Sequence, residues 1–448
     1  MAAPSNAFFR IFRRVRDSIA FYPVLIAGLY ALIAALILTL ETRPVTSALR
    51  DILPKGLSDP DNARELLGTL VTSIISLTVF SFSMVMVVLN GAAARLTPRV
   101  LPGLISDRRN RVILGIYLGS VLYYLMLIST LDQDDPASLP TLGLLLGLIF
   151  GMLCLALFVV FIRSVSQSIQ VDWVLGQLYN GALENLRQRK KRLEGIARAP
   201  DASDWWCIAA DRPGYLRDVN EQRLGELLRR GDLIAVIQAE PGFFMIEGHP
   251  LIRLSAPVDD QTVAKILDCF DFHNDEFASA NLSYGMRQIS EIAVKAISPA
   301  INDPGTAIRA INLLGVLLLR LNGVPPIDVG CFDQGRPRLY YPQMAMQRIL
   351  EWVMAPIRNY GSGDPHVLAA LLQSMKNALH GDPSADQLEA LTEEIHAVRN
   401  SADAHVESRR DRQALNTVLE RLNRQRHDMQ PVPLLSLGDG QRERAAEN

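Results

Sequence analysis

The chain has 448 residues, too many for one domain of ordinary size, and hydrophobic residues make up 49% of it. Its formal net charge of -2 excludes the strongly basic character of nucleic-acid-binding domains, so we expect no nucleic acid partner. The four cysteines form no CxxC pair, which excludes the common zinc and disulfide frameworks, and we expect neither a metal nor a cofactor.

Four apolar runs without a charged side chain occupy the first third of the chain. They cover residues 22–40, 66–89, 112–131 and 139–162. Each run is long enough to cross a hydrocarbon core of roughly 30 Å as a helix. The pattern predicts an α-helical integral membrane protein with four transmembrane helices, in a transmembrane domain of residues 1–165 that is surrounded by the lipid bilayer.

Basic residues cluster at alternate ends of these runs. Arginines precede the first run and fill the connection 90–111, whereas the connection 132–138 has three aspartates and no basic residue. Because basic loops favour the cytoplasmic side of a membrane, we expect the N-terminus and everything after Arg163 to lie in the cytoplasm.

The second run differs from the others because small polar side chains recur on one side of the predicted helix. At about 100° per residue, six of them fall within a sector of about 100°. They are Thr69, Thr72, Ser73, Ser76, Ser83 and Asn90. The stripe has two interpretations: close helix packing through small polar residues, or the lining of a pore that several copies form together.

Glycines indicate that the third and fourth runs pack closely, either with each other or with another subunit. Gly115 and Gly119 lie four residues apart, as do Gly143, Gly147 and Gly151. This spacing leaves a flat groove on one face of a helix. The runs contain no acidic, basic or histidine residue, which argues against proton-coupled transport, since such proteins place ionisable groups at membrane depth.

A set of arginines lies at the ends of the second and third runs, and we call it the basic rim. It consists of Arg95, Arg99, Arg108, Arg109 and Arg111. These residues either fix the topology alone or form a cationic ring at the cytoplasmic mouth of a pore, which would favour anions.

The chain behind the transmembrane domain has the composition of a cytosolic α+β region. We expect four parts: a linker helix at 166–197, a small β-rich module at 198–258, a helical cytosolic domain at 259–429 and a disordered tail at 430–448. Beyond Gly323 the sequence predicts a proline-rich connection and then helices near 342–359, 366–379 and 384–423.

A helix-start motif follows residue 297. It consists of Ser298, Pro299, Asn302, Asp303 and Pro304. Proline favours the first helical position and aspartate the capping position before it, so the motif predicts the start of an apolar helix that must be buried. The alternative is that Asn302, Asp303 and the helix start bind a ligand at a subunit contact.

Chemical motifs are absent from the sequence. It contains no P-loop, dinucleotide-binding glycine fingerprint, HExxH or GxSxG pattern. The polar cluster at residues 271–276 has one histidine among acids, a spacing common in solvated loops, so we do not expect a metal there. An enzyme is a third and less favoured interpretation, since it would need Asp271, His273, Glu291 and Asp303 to meet in space, and the sequence does not show whether they do.

Two stretches resemble the signature regions of the DUF2254 family of predicted bacterial membrane proteins. They are TVFSFSMVMVVLNGAAARLTPRVLPGLISDRRNRVILGIYLGSVLYYLML and MRQISEIAVKAISPAINDPGTA, and the resemblance covers most of residues 1 to about 320. The family commonly has serine where this chain has Thr97, and glycine where it has Ala300. The resemblance implies a multi-pass protein of the bacterial inner membrane and supplies no catalytic residues.

Together these features lead to one hypothesis and one alternative. The hypothesis is an oligomeric channel-like or solute-permeation protein, a homo-oligomer in which the second span lines a path for a small ion or solute and the cytosolic region gates it. The alternative is a membrane-anchored sensor or scaffold whose cytosolic domain binds a ligand or partner.

Overall fold

The computed structural model describes residues 21–41, 59–95, 108–131, 140–168, 170–196, 198–239, 242–273, 281–425 and 430–437. The chain divides near residue 170 into two compact units. The first is made of apolar helices, and the second combines helices with two β-sheets.

Each of the four apolar runs forms one long helix of the first unit. The helices are α1 (Phe21–Glu41), α2 (Pro60–Arg95), α3 (Arg108–Ile128) and α4 (Thr141–Ser168). Uninterrupted apolar sequence without proline in its interior favours helices that satisfy their own backbone hydrogen bonds, as a membrane requires.

Helix α3 is the centre of the first unit, with α1 and α4 packed against it. A Cβ atom added at Gly119 would lie 2.8 Å from Cγ of Tyr30, so only glycine admits α1 this closely. On the other side, the Tyr123 hydroxyl donates to the carbonyl of Gly143 (2.8 Å) and that of Tyr124 to Gly147 (2.7 Å). The predicted close packing of the glycine-bearing helices is confirmed.

The second unit contains nine helices and eight strands among the described residues. Its helices are α5 (Val171–Arg192), α6 (Glu221–Arg230), α7 (Asp260–Leu267), α8 (Leu282–Ala296), α9 (Pro304–Leu321), α10 (Met346–Tyr360), α11 (Pro365–Ala378), α12 (Ala385–His405) and α13 (Arg409–Gln425). Its strands are β1 (Trp206–Ala209), β2 (Gly214–Val219), β3 (Ala235–Ile237), β4 (Phe244–Met245), β5 (Pro250–Leu254), β6 (Phe270–His273), β7 (Ile327–Asp333) and β8 (Arg336–Pro342).

The strands form two sheets around one apolar core. The larger sheet has the order β1-β5-β3-β8-β7, and the smaller has the order β4-β2-β6. All neighbouring strands are antiparallel except β3 and β8, where Ala235 pairs with Leu339. Leu216, Leu224 and Ile252 are fully buried between the sheets and α6.

The β7–β8 hairpin replaces the proline-rich connection that the sequence predicts after Gly323. Its prolines lie near the ends of the strands, where they remove few ladder hydrogen bonds: Pro342 pairs with Ile327 and Pro337 with Phe332. Gln334 and Gly335 both have positive φ, at 47° and 79°, as a tight two-residue hairpin turn requires.

Helix α9 lies at the centre of the helical part of the second unit, against α5, α8 and α11. Ala310, Leu314 and Leu317 on this helix are fully buried. By length and composition five helices are apolar enough to cross a membrane: the four of the first unit and α9, which is the least apolar of the five.

The C-terminal part differs from the sequence prediction in two places. The helix predicted over 384–423 is two helices, because the chain turns extended at Val406 and the side chain of Arg412 binds the carbonyls of Val406 and Asp403 (2.6 and 2.7 Å). Residues 430–437 of the predicted disordered tail pack on α13, where Asn416 exchanges two hydrogen bonds with the backbone of Leu435. Residues 438–448 lie outside the described residues.

Candidate functional site

The polar stripe of α2 faces away from the rest of the first unit, and we call it the hydroxyl face. All six of its residues are exposed: Thr69, Thr72, Ser73, Ser76, Ser83 and Asn90. The buried residues of α2 lie on the opposite side of the helix and include Leu67, Ile74 and Ser81. Packing inside one chain therefore does not explain the stripe.

Most hydroxyl groups of this helix are bonded to the helix itself. Thr72 donates to the carbonyl of Gly68 (3.0 Å), Ser76 to that of Thr72 (2.8 Å), and Ser83 to that of Val79 (2.9 Å). Back-bonding to the carbonyl four residues earlier satisfies a hydroxyl where water is absent. The hydroxyl face can therefore lie against lipid, a neighbouring helix or a solute.

The basic rim is only partly described. Arg95 ends α2 and Arg108 begins α3, whereas Arg99 lies outside the described residues. Arg109 is exposed, and the guanidinium of Arg111 lies 5.3 Å from the ring centre of Tyr22 on α1. Arg111 is thus engaged with its own subunit, and Arg109 lies on the exposed surface of α3.

The helix-start motif is a tight connection between α8 and α9. Asp303 caps α9 with both carboxylate oxygens: Oδ1 accepts from the Thr306 backbone (3.1 Å) and Oδ2 from its hydroxyl (2.6 Å). Ser298 donates to the carbonyl of Lys295 (2.6 Å), Asn302 has a φ of 49°, and Pro304 occupies the first turn after Pro299 has ended α8. The predicted cap is confirmed, since Asp303 accepts from the first turn of α9.

The residues weighed for chemistry have ordinary structural partners. His273 lies 3.4 Å from Asp271 on β6, and Glu291 lies 3.3 Å from Arg287 on α8. Within the described part of the chain, no group of three histidine, cysteine or acidic side chains is close enough to hold a metal. Residues 274–276 of the polar cluster lie outside that part.

Two cavities of the second unit were not evident from the sequence. The first is a cleft of about 1190 Å³, which we call the large cleft. Its lining includes basic residues of α5 and of the segment after it, and acidic residues of α12; among them are Lys190, Arg198, Asp386, Glu389 and Glu393. Burial lowers the pKa of Lys190, and the nearby charge of Arg320 acts in the same direction.

The second is a smaller cavity of about 200 Å³, which we call the polar cavity. Its wall is Asn185, Gln188, Arg189, Arg192, Arg217, Asp218, Val219, Glu221, Asn281, Leu282, Asp328, Tyr341 and Gln343. These residues come from α5, β2, α6, the start of α8, β7, and β8 with the residue that follows it. Sequence patterns give no signal for such a site, because its parts are far apart in the chain.

Two arginines of α5 fix one wall of the polar cavity. The buried guanidinium of Arg189 donates to the carbonyls of Pro325 and Ile327, the latter at 2.8 Å. Arg192 forms a two-pronged ion pair with Asp328, with Nε donating to Oδ1 at 2.9 Å. Hydrogen bonding to Asp328 raises the pKa of Arg192, so this cation stays charged.

Tyr341 and Glu221 also line the polar cavity, and both lie beside Gly330. A Cβ atom added at Gly330 would lie 3.0 Å from Oε2 of Glu221 and 3.4 Å from Cε2 of Tyr341, so glycine admits both side chains. The Tyr341 side chain is 8% exposed, and its buried hydroxyl interacts with the Glu221 carboxylate. Burial raises the pKa of Tyr341, and the adjacent Glu221 carboxylate raises it further, so the phenol stays protonated.

Comparison with known proteins places the chain among membrane proteins. Uncharacterised proteins of Mycobacterium bovis and Mycobacterium tuberculosis are each 25% identical to it over 342 residues, which cover 72% of this chain. The chain matches 66% of the length of these relatives. No solved structure matches it.

The family model described as "Predicted membrane protein (DUF2254)" matches residues 16–377, which include all four helices of the first unit and extend into α11 of the second. This match spans most of the sequence and includes both stretches on which the resemblance rested. The chain belongs to the DUF2254 family of predicted membrane proteins.

Proposed function

We propose that the protein is an oligomeric channel-like protein of the bacterial inner membrane, with four spans in each subunit and a cytosolic second unit. In this proposal the hydroxyl face of α2 lines a path for a small ion or solute. The observation that supports it is the exposure of the entire hydroxyl face, opposite the side of α2 that is buried in its own subunit.

A second copy of the chain is the occupant that we propose for this face. Contact between lipid chains and six polar residues contributes no stabilisation, whereas small polar side chains favour contact between helices. One subunit has only three other spans, and they lie on the far side of α2, so a polar path needs a neighbouring subunit to close it. The basic rim would then lie at the mouth of the path and favour anions.

The proposal is tested by cross-linking in lipid nanodiscs. In a variant whose four native cysteines are replaced by alanine, Ser76→Cys should give disulfide-linked oligomers under mild oxidation. Phe82→Cys is the matched control, because Phe82 is 60% exposed on α2 but lies about 120° from Ser76 around the helix. Cross-linking at Phe82 and not at Ser76 would refute the arrangement.

Flux through reconstituted vesicles tests the path itself. Anion flux under voltage should fall in Arg95→Gln/Arg99→Gln, and Ser76→Lys should change the ratio of cation to anion flux, since a charge in the lining dominates selectivity. Absence of flux under voltage, osmotic shock and pH jumps would eliminate the channel proposal, even if the subunits cross-link at Ser76.

The large cleft favours a second candidate function, a membrane-anchored sensor or scaffold. A cleft of about 1190 Å³ with both basic and acidic residues in its lining suits a ligand or a peptide segment that carries both charges. In that case Ser76→Lys should reduce assembly or stability and leave vesicle leak unchanged. Replacing Glu389 and Glu393 by glutamine should then weaken partner binding without changing flux.

A further inference from the structure

We propose that the large cleft binds a segment of this chain itself, residues 438–448, which lie outside the described residues. In this arrangement the arginines of the segment pair with the acidic residues of α12. Such binding requires neither flux through the membrane nor a partner from outside the chain, so it can be tested apart from both candidate functions.

Five charged residues of the cleft are available to an occupant. All five are exposed, and their side chains form no hydrogen bond or ion pair with another described residue. They are Lys190, Arg198, Asp386, Glu389 and Glu393. By contrast, the guanidinium of Arg189 in the same wall is already bonded to backbone carbonyls of the chain. The five charges therefore remain to be paired.

The two signs of charge belong to different elements of the second unit. Asp386, Glu389 and Glu393 are spaced by three and four residues, so they share one face of α12. Lys190 lies in the last turn of α5, and Arg198 lies in the segment after that helix. An occupant that carries both signs can therefore pair with each element.

Residues 438–448 have a charge pattern that matches such a cleft. They read GDGQRERAAEN, in which Arg442, Glu443 and Arg444 alternate in sign. Successive side chains of an extended chain point to opposite sides. Both arginines can therefore contact α12 while Glu443 is directed toward the basic residues. The segment thus complements the cleft in the sign and in the order of its charges.

The last described residues lie within reach of the cleft. The carbonyl of Ser436 accepts from Nη1 of Arg412 (2.9 Å), and the same nitrogen donates to Asp403 of α12 (3.0 Å). Asp403 lies ten residues beyond Glu393 on this helix, which is about 15 Å at 1.5 Å per residue. Arg442 follows Ser436 by six residues, and an extended chain of this length spans about 20 Å. Arg442 can therefore reach Glu393.

Attachment to the chain favours this occupant over a free peptide. A segment joined through a short connection is present at an effective concentration in the millimolar range, so even a weak intrinsic affinity keeps the site filled. A peptide from another protein would have to displace the attached segment. The segment would thus set a threshold for the binding of any outside partner in the cleft.

Isothermal titration with a synthetic peptide of residues 438–448 tests the proposal. The peptide is added to the full-length protein in nanodiscs and to a variant that ends at Leu437, which keeps the described contacts with α13. We expect it to bind the shortened variant and to bind the full-length protein at least tenfold more weakly, because the attached segment competes. Equal affinities, or no binding to the shortened variant at millimolar concentration, would overturn the proposal.

Charge removal in the shortened variant tests whether the peptide binds in the large cleft. Glu389→Gln/Glu393→Gln should weaken peptide binding about tenfold, because two carboxylates that pair with the arginines are lost. Glu226→Gln/Glu247→Gln is the matched control, because it removes the same charge from exposed residues that do not line the cleft. Melting temperatures of both double variants show that they are folded. Equal affinities of the two double variants would place the peptide outside the cleft and refute the proposal.

Discussion

The ion pair between Glu394 and Arg358 shows how a single buried charge makes stability depend on pH. Oε1 of Glu394 on α12 accepts from Nε of Arg358 on α10 at 3.0 Å, and only about a tenth of the Glu394 side chain is exposed. Burial raises the pKa of Glu394, and the adjacent arginine only partly opposes this effect. A carboxyl whose pKa is raised on folding contributes stability at low pH and loses it as pH rises through the raised value.

Arg358→Ala should therefore be more destabilising at neutral or alkaline pH than in acid. Near pH 8 it leaves an ionised carboxylate buried without its partner, a loss of about 3 kcal/mol. Near pH 4 Glu394 can take up a proton, and the loss should be clearly smaller. Thermal unfolding of both proteins in nanodiscs at the two pH values measures the difference.

Arg424→Ala is the control for this prediction. Its ion pair with Glu420, at 3.4 Å, lies on the exposed side of α13, so its removal should change stability by less than about 1 kcal/mol at either pH. Equal losses of stability for Arg358→Ala at pH 4 and pH 8 would show that Glu394 does not change its protonation state between these two pH values.

Close approach of α9 and α11 depends on one glycine. A Cβ atom added at Gly315 would lie 2.2 Å from Oγ of Ser374 and 3.3 Å from its Cα, so part of the obstruction is backbone. The serine hydroxyl in turn donates to the carbonyl of Ile311 on α9 (3.3 Å). The two helices thus pack closely because each contributes a small residue to the contact, Gly315 from α9 and Ser374 from α11.

Gly315→Ala should destabilise the second unit by about 1–3 kcal/mol, because the helices must move apart. Gly176→Ala in α5 is the matched control: nothing lies within 4 Å of its added Cβ, so alanine should stabilise the helix by about 0.5–1 kcal/mol. Thermal unfolding of both variants gives the comparison. Stabilisation by both substitutions would show that α9 and α11 do not pack this closely.

Helices were predictable from the sequence where hydrophobic spacing was long and regular, as in α1 to α4 and α9. The cap at Asp303 was predictable because capping depends on residues adjacent in the chain. The β7–β8 hairpin was not, because Pro325, Pro326 and Pro337 favour an irregular connection. Its strands are stabilised by the parallel pairing of β8 with β3, a contact between distant parts of the chain.

At the scale of the whole molecule, one candidate site was predictable from the sequence and another was not. Periodicity located the hydroxyl face, and it also predicted that its residues share one side of α2. It did not indicate which side of α2 its own subunit would cover, because that depends on how α1, α3 and α4 pack. The polar cavity could not be predicted, since its wall depends on the register of β8 beside β7 and on the placement of α5.

Orientation in the membrane can be tested with a native cysteine. Cys207 on β1 is exposed, whereas Cys154 and Cys269 are buried. If the second unit is cytosolic, a membrane-impermeant maleimide should label Cys207 in inside-out vesicles and not in intact spheroplasts. Burial raises the pKa of Cys269 to about 11, which leaves it a poor nucleophile near neutral pH.

Ser129→Cys provides the opposite control. Ser129 is exposed just after the end of α3, close to the connection 132–138, which the charge pattern predicts to lie outside the cytoplasm. In a variant that lacks the native cysteines it should be labelled in spheroplasts and protected in inside-out vesicles. The reverse pattern at both positions would invert the proposed topology.

The back-bonded hydroxyl groups of α2 also bear on how the protein is made. Thr72, Ser76 and Ser83 each hold their proton on a carbonyl of their own helix, so a newly inserted subunit exposes few unsatisfied donors to lipid. When the side chain rotates about its χ1 bond, the hydroxyl can donate to an acceptor outside the helix instead of to that carbonyl. One hydrogen bond replaces another, so the net free-energy change is small. In the proposed oligomer, a subunit would be inserted with these hydroxyl groups already bonded, and the same side chains would become available once subunits meet. Biogenesis would then proceed in two independent stages, insertion first and assembly afterwards.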